Sequence, residues 1–308
     1  MEIIELALKA APRVVIKERS EIFLRSLGCT EIQGGRYSRV KYGNYQEIVM
    51  KKQIAVILGP TATGKSHCGI ALAQALDGEI ISGDSMLVYR GMDIGTAKPT
   101  AEELALVPHH MVDILPPEAS FNVVDFKERA ERLIDEITAR GKLPIIVGGT
   151  GLYIKALLED YKFSSKGEDS ALRAELERLL AEQGKEALYA RLVKSAPAEA
   201  GKIDINNTRR VIRAIEAAES GDDLSHSKSE ELVYDAAVFG LRMERSVLYE
   251  RINRRVDIML EQGLIEETRR LLEEGVPEMA QSMQAIGYRQ TVLYLKGEWD
   301  KATAVDKN

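Results

Sequence analysis

Cysteine is scarce in this chain: there are two in 308 residues, Cys29 and Cys68, and they form no ligand spacing. That excludes a disulfide-stapled scaffold and a cysteine-based zinc site, and it points to a reduced, cytoplasmic setting. No apolar run approaches the ~20 residues needed to span a membrane. The N-terminus lacks a basic stretch followed by an apolar core, so no secretory signal is visible. Internal repeats and low-complexity tracts are missing as well. Nor is positive charge in excess: the net charge is −6, which argues against a generic nucleic-acid binder and requires any nucleic-acid contact to be a local basic patch. What remains is an ordinary globular composition, 45% hydrophobic and 29% charged, long enough for one large domain or two.

Against that background one octapeptide stands out. Residues 59–66 read GPTATGKS and match G-x-x-x-x-G-K-[ST], a loop that wraps a polyphosphate. The apolar run Gln53–Leu58 before it suits a buried strand. The Ala/Leu-rich run Cys68–Leu76 after it suits a helix. A strand–loop–helix brings backbone N–H groups and a helix N-terminus to one point, which makes an anion site from Gly59, Pro60, Thr61, Ala62, Thr63, Gly64, Lys65 and Ser66. Lys65 adds a point charge on the outer phosphates, and the Ser66 hydroxyl is a candidate Mg²⁺ ligand. The loop specifies a polyphosphate, not a reaction.

The flanking pattern predicts an α/β fold. Residues 1–49 read as an appended segment, with a helix over Glu2–Ala11 and strands over Arg13–Lys17 and Tyr37–Tyr42. From 50 to 162, strands and helices alternate: strands at Glu79–Ser82, His110–Ile114 and Leu143–Val147, and an amphipathic helix over Phe126–Arg140 with Phe126, Ala130, Leu133, Ile134 and Ile137 on one stripe. Gly141 is placed to end that helix in a left-handed conformation. Such strands form a parallel sheet with ligands at its C-terminal edge, so Gly59, Asp84 and Gly148 should gather there. Over 163–233 the strand signal vanishes. Helices are predicted at Ala171–Gln183, Lys185–Lys194 and Asn207–Ser220, giving an all-helical insertion. The core resumes at 234–308 with a strand over Tyr234–Leu241 and a long helix over Arg245–Gln262.

Other residues carry chemistry less specifically. Asp84 follows a strand and faces the phosphate loop; it could serve as a Mg²⁺ ligand, a general base or a helix N-cap. Arg90 and Lys98 could bind diphosphate oxygens or be solvated. His109, His110 and Asp113 lack a third spaced metal ligand, and adjacent strand histidines point to opposite faces, so structural hydrogen bonding is the simpler use. Gly148-Gly-Thr-Gly151 permits a close backbone approach and puts Thr150 toward a substrate, or is simply a tight turn. Arg209, Arg210 and Arg213 share a helix, as do Arg251, Arg254 and Arg255. Arginines so placed are usually a solvated surface, unless the face meets a phosphodiester backbone.

Together these blocks resemble the tRNA dimethylallyltransferases, or tRNA isopentenyltransferases. The matching stretches are GPTATGKS at 59–66, SGDSMLVYRGMDIGTAKP at 82–99, PHHMVDIL at 108–115 and IIVGGTGLYIKAL at 145–157, then NNTRRVIRAIE at 206–216, ERINRRVDIMLEQGLIEE at 250–267 and QSMQAIGYRQ at 281–290. The resemblance implies a P-loop fold, like that of the nucleoside-triphosphate hydrolases, with a helical insertion that grips a tRNA anticodon stem-loop. It implies a cytoplasmic, monomeric enzyme that moves a dimethylallyl group from its diphosphate to N6 of the adenine just 3′ of the anticodon, with Mg²⁺ assisting. By the same resemblance Asp84 is the general base, Lys65 and Thr150 complete the catalytic set, and residues 61–66 hold the donor. Asp84, Ser85, Met86, Leu87, Thr150, Arg173 and the run Arg209, Arg210, Val211, Ile212, Arg213 contact the tRNA. The base must be extruded to be reached. The family has Gln at the positions of Leu87 and Arg209, and it continues beyond Asn308 into a basic helix, so this chain is expected to be cut short there.

Two other classes compete. A small-molecule P-loop kinase would need an arginine lid over ATP and an acceptor-hydroxyl site, and the VYRGMDIGTAK block argues against it. A relative that prenylates free AMP would not need so large a helical insertion. An inactive RNA-binding module would not need Lys65, Ser66, Asp84 and Thr150 intact.

Overall fold

The computed structural model describes residues 14–16, 51–161, 170–220 and 232–306. The predicted helix over Glu2–Ala11 and strand over Tyr37–Tyr42 lie outside the described residues. Contacts divide the chain into one unit running to Glu159 and resuming at Glu231, and a second over Asp160–Glu230.

The first unit is built on a six-stranded sheet. Its strands are β1 (Val14–Ile16), β2 (Gln53–Leu58), β3 (Gly78–Ser82), β4 (His109–His110), β5 (Leu143–Gly148) and β6 (Asp235–Leu241), in the order β1-β6-β2-β5-β3-β4. β1 runs antiparallel along β6, and the other pairings are parallel. Both faces are covered, which is why the strands read as continuous apolar runs rather than alternating ones. Ile54 and Val56 face one layer with Ile146, Ala236 and Val238. Ala55 and Ile57 face the other with Ile145, Val147 and Phe239.

Helices fill both layers. α1 (Lys65–Ala75) buries Cys68, Ile70, Leu72 and Ala73 against the second face. α2 (Ala101–Leu106) is short and opens on a capping box between Thr100 and Glu103. α3 (Val123–Ala139) covers the first face with Phe126, Ala130, Ile134 and Ile137. It starts three residues before the predicted Phe126 because Asn122 accepts from the Val124 and Asp125 amides in a second capping box. It ends where predicted, with Gly141 at φ +74°. α4 (Gly151–Leu158) follows β5 directly.

The predicted strand over His110–Ile114 is a correction. β4 stops at His110 because Met111 and Asp113 adopt left-handed φ values of 62° and 55°. The chain then turns so that residues 113–115 pair with the 87–90 segment, through Ile114 N–H on the Val88 carbonyl (2.8 Å) and Arg90 N–H on the Leu115 carbonyl (2.9 Å). The two histidines are structural, as expected. His109 Nδ1 meets the Val107 carbonyl at 2.8 Å, and His110 Nε2 meets buried Glu79 at 2.6 Å. Arg140 also reaches Glu79, at 2.7 Å. Burial would raise the Glu79 pKa, but the Arg140 and His110 hydrogen bonds outweigh it and hold the carboxyl below its ordinary value.

The second unit is all-helical. α5 (Ser170–Ser195) is kinked at Gly184 (φ 81°, ψ 177°), so it is in effect the two helices predicted on either side of that residue. α6 (Pro197–Ala200) is a single turn, and α7 (Thr208–Ser220) packs back on α5 around Leu176, Leu188, Leu192, Val211 and Ile215. The first unit is completed by α8 (Arg245–Glu261), α9 (Leu264–Glu273), α10 (Tyr288–Leu295) and α11 (Lys301–Asp306).

The tightest constraint in the sheet is between the ends of β3 and β5. A Cβ on Gly148 would lie 2.2 Å from the Gly83 carbonyl oxygen and 2.6 Å from its Cα, both backbone atoms that cannot rotate away. Gly148→Ala should therefore destabilise the protein by about 3 kcal/mol or more, at or above the upper end for overpacked sites. Urea unfolding would measure this, and a loss below about 1 kcal/mol would mean that the two strand ends separate easily.

Candidate active site

Three strand ends and one helix converge on the sheet's C-terminal edge. β2 runs into the phosphate loop, whose left-handed residues Ala62 (φ 60°) and Gly64 (φ 86°) curl the backbone. Thr63 is buried, and its hydroxyl donates to the Pro60 carbonyl (2.7 Å). Lys65 Nζ donates to the same carbonyl (2.7 Å). Gly59 lies against β6, where a Cβ would come within 2.8 Å of the Leu241 carbonyl oxygen. Ser66 is exposed in the first turn of α1.

β3 ends in Asp84. Its Oδ1 accepts the Met86 N–H at 2.8 Å. No helix begins here; residues 85–91 form turns. The carboxylate therefore caps a turn rather than a helix, which removes the helix N-cap alternative. Ser85, Met86 and Leu87 are half-buried along that turn.

β5 ends in the Gly148–Gly151 turn. A side chain at Gly149 would begin 3.9 Å from Lys65 Nζ and 3.5 Å from the Gly59 carbonyl, so this turn faces the phosphate loop directly. The Thr150 amide reaches the Gly83 carbonyl at 3.4 Å. Thr150 sits at the N-cap of α4, yet its side chain makes no capping hydrogen bond. Behind it Tyr153 stacks on Phe126 at 4.9 Å and donates to the Phe121 carbonyl at 3.3 Å. Burial, with Tyr89, Asp125 and Asp84 nearby, pushes its hydroxyl up to about 12.

The charges at this edge form one set. Burial lowers the Lys65 pKa, Asp84 raises it, and Arg255 on α8 lowers it further. Arg255 is likewise lowered by burial and supported by Asp84. Two desolvated cations and one carboxylate are thus close enough to feel one another. Arg255 has no hydrogen bond or ion pair among the described residues. It lines a cavity of about 550 Å³ with Lys98, Thr100, Ile258 and Met259. A partly desolvated Lys65 beside a curl of backbone amides is charge-matched to an anionic group.

Other candidates fall elsewhere. Lys98, its side chain 5% exposed, donates to the Tyr89 carbonyl at 2.8 Å and pairs with Asp93 and Asp113. Arg90 Nε donates to the Asp113 carbonyl at 2.9 Å. Both staple the turn together and are not free to bind phosphate. In the helical unit Arg209 and Arg210 are exposed, whereas Val211 and Ile212 are 1% and 6% exposed in its core. The apolar stripe of α7 packs inward, so of the run 209–213 the arginine side chains are the ones open to solvent. Arg173 is spread across buried Glu216 with two 2.8 Å bonds, which is a structural commitment. Among the described residues no group of three His, Cys, Asp or Glu could hold a metal, and no helix is long and apolar enough to cross a membrane.

The charge set makes a prediction independent of any reaction. Asp84→Asn should lower the Lys65 pKa further, because the carboxylate that raises it is lost, and Arg255→Gln should raise it. Titration of the Lys65 Cε resonance, assigned by its absence in Lys65→Arg, would check both signs. If neither substitution moves it, the three side chains do not share a site.

Comparison with known proteins is consistent with this geometry. The family model described as IPP transferase matches residues 87–308. A tRNA dimethylallyltransferase of Exiguobacterium sp. is 51% identical over 256 residues, covering 83% of this chain and 82% of that protein. Among solved structures, the full-length tRNA isopentenylpyrophosphate transferase of Bacillus halodurans is 47% identical, covers 83% of this chain and 82% of its own, and superposes with a TM-score of 0.61. A eukaryotic dimethylallyltransferase described as acting on tRNA is 28% identical, with a TM-score of 0.66, over 83% of this chain and 65% of its own. By sequence and by fold, the chain belongs to the IPP transferase family.

Proposed function

We propose that this protein transfers a dimethylallyl group from dimethylallyl diphosphate to N6 of the adenine just 3′ of the anticodon in a tRNA stem-loop, releasing diphosphate. The observation that carries the reading is the phosphate loop faced by the Gly149 turn, where a Cβ would lie 3.9 Å from Lys65 Nζ, with Asp84 following the neighbouring strand, in a chain half identical to a tRNA dimethylallyltransferase. The kinase alternative is not favoured, since the relatives that this chain matches are named as transferring a dimethylallyl or isopentenyl group.

The chemistry follows from the charges. The allylic C1–O bond breaks, and the electron pair leaves with the diphosphate. Amides of residues 61–66, the Lys65 ammonium and the Arg255 guanidinium receive that charge in a partly dehydrated space, where such interactions are strongest. N6 attacks C1 and gives its proton to Asp84, whose Oδ1 is steadied by the Met86 amide. Thr150, with its hydroxyl uncommitted to capping, lies across from the loop and can orient the base. Mg²⁺ fits as a companion of the diphosphate: the exposed Ser66 hydroxyl is a single oxygen donor of the kind that, with phosphate oxygens and water, completes an Mg²⁺ shell. When bound it would neutralise leaving-group charge. The helical unit supplies the RNA grip through Arg209, Arg210 and Arg213, and this unit is what favours tRNA over free AMP as acceptor.

Incubation with dimethylallyl diphosphate, Mg²⁺ and an anticodon stem-loop, followed by mass spectrometry of the RNA, tests the reading. Lys65→Ala should cost about 2–4 kcal/mol in transition-state stabilisation. Asp84→Asn should slow turnover about 10²- to 10⁴-fold while leaving donor affinity nearly intact. Prenylation of AMP in preference to the stem-loop, or an Asp84→Asn enzyme of unchanged rate, would sink it.

A triple Arg209→Ala, Arg210→Ala, Arg213→Ala variant should bind the stem-loop more weakly and flatten the log-affinity against log-salt slope by about 0.7 to 0.9 per lost phosphate contact. Donor affinity should not change. An unaltered slope would mean that these arginines are only a solvated face.

A further inference from the structure

Three of the sequence blocks that carry the family resemblance have no role in the chemistry above: GMDIGTAK within 82–99, the end of 250–267, and 281–290. In the fold they meet at one buried carboxylate. Glu267 on α9 is 8% exposed. Its oxygens accept the backbone N–H groups of Asp93 (3.0 Å), Ile94 (3.1 Å) and Gly95 (3.3 Å). They also accept the Tyr288 hydroxyl at 2.5 Å, and that hydroxyl in turn accepts the Gly95 N–H at 3.2 Å. The fit admits no side chain at 95, where a Cβ would lie 2.5 Å from the Tyr288 ring. One residue-turn further on, Arg270 donates to the Gly91 carbonyl at 2.8 Å.

A buried carboxylate with no cation of its own is expensive unless its hydrogen-bonding capacity is filled. Here it is filled by successive amides of a single loop. That loop begins at Asp84 and ends at Lys98, and its 93–98 portion walls the cavity that Arg255 of α8 also lines. Holding the loop at 93–95 therefore fixes one wall of the cavity that Arg255 lines, and Lys98, which joins Asp93 to the Tyr89 carbonyl, carries that hold back toward the Asp84 turn. Among the described residues no hydrogen bond of Glu267 reaches the phosphate loop.

We propose that Glu267, with Tyr288, is a positioning residue for the transfer reaction: it clasps the 93–95 amides and so holds the Asp84 turn in register with the donor site. The proposal rests on the prenyl-transfer reading. It predicts a split between binding and turnover, because the phosphate loop is untouched while the carboxylate that receives the N6 proton is on the loop whose far end is clasped. Misplacement of a reacting group by about 1 Å can cost on the order of 10²-fold in rate.

The experiment compares the unsubstituted enzyme with Glu267→Gln, Glu267→Ala and Tyr288→Phe. It measures kcat with the stem-loop, the dissociation constant for dimethylallyl diphosphate, and hydrogen exchange at amides 93–95. Turnover should fall by tenfold or more in Glu267→Ala and less in Glu267→Gln, which keeps one accepting oxygen. Donor affinity should stay within about threefold, and exchange at 93–95 should accelerate in step with the loss of turnover. If the Glu267 variants fail to fold, Tyr288→Phe removes one hydroxyl of the clasp and carries the same test with a smaller drop. A folded variant with fast exchange and unchanged kcat would overturn the proposal and leave Glu267 a purely structural residue; equal losses in donor affinity and kcat would overturn it too. An unsubstituted enzyme that prenylates no RNA would refute the reaction itself, whereas an active enzyme indifferent to Glu267 would refute the clasp alone.

Discussion

The close approach of Gly83 and Gly148 sets the distances on which the rest of the site depends. Adjacent parallel strands normally leave room for side chains at their ends. Here the Gly83 backbone lies where a Cβ on Gly148 of β5 would be, and the Gly83 carbonyl receives the Thr150 amide. Asp84 and Thr150 therefore emerge from neighbouring strands with almost no slack between them. Gly149, next along, is turned toward Lys65. Sheet geometry, rather than long flexible side chains, brings carboxylate, hydroxyl and ammonium to one edge, as expected for ligand sites at the C-terminal ends of parallel strands.

Electrostatics then decide what that edge can do. Lys65 and Arg255 are both depressed by burial, and each is a neighbour of Asp84. Burial disfavours the charge on both cations, and a single carboxylate offsets only part of that cost. The arrangement is improved by a ligand bearing several negative charges. A diphosphate leaving group meets that need most fully at the moment its bond to carbon breaks, so the cost of holding the two cations out of water is relieved in the transition state more than in the ground state.

Much of this was legible in the sequence, for identifiable reasons. The phosphate loop, the strands flanking it and the helix cap at Gly141 depend on neighbours within a few residues, and all fall where the pattern puts them. β4 did not, because its end is set by long-range pairing of 113–115 with 87–90. Arg255 and Glu267 were missed. Both are charged residues at positions where the helix turns inward: Arg255 falls with Ile252, Val256 and Met259, and Glu267 with Leu264, Thr268 and Leu271. A charge count reads such residues as solvated surface. Their phase against the apolar stripe was the available signal, since a charge that interrupts a core-facing stripe must have a partner or a task. The same phase argument, run in reverse, puts Val211 and Ile212 inside the helical unit and leaves Arg209 and Arg210 outside.

The central claim is that one site holds a diphosphate against Lys65 and Arg255 while Asp84 addresses the acceptor nitrogen. The most direct test is a crystal structure with a slowly reacting thiolodiphosphate analogue of the donor and an anticodon stem-loop. The account predicts the diphosphate in the curl of residues 61–66, touched by Lys65 and Arg255, with an extruded adenine placing N6 between Asp84 and C1 of the dimethylallyl group. A diphosphate bound away from the loop, or an adenine whose N6 faces away from Asp84, would contradict it.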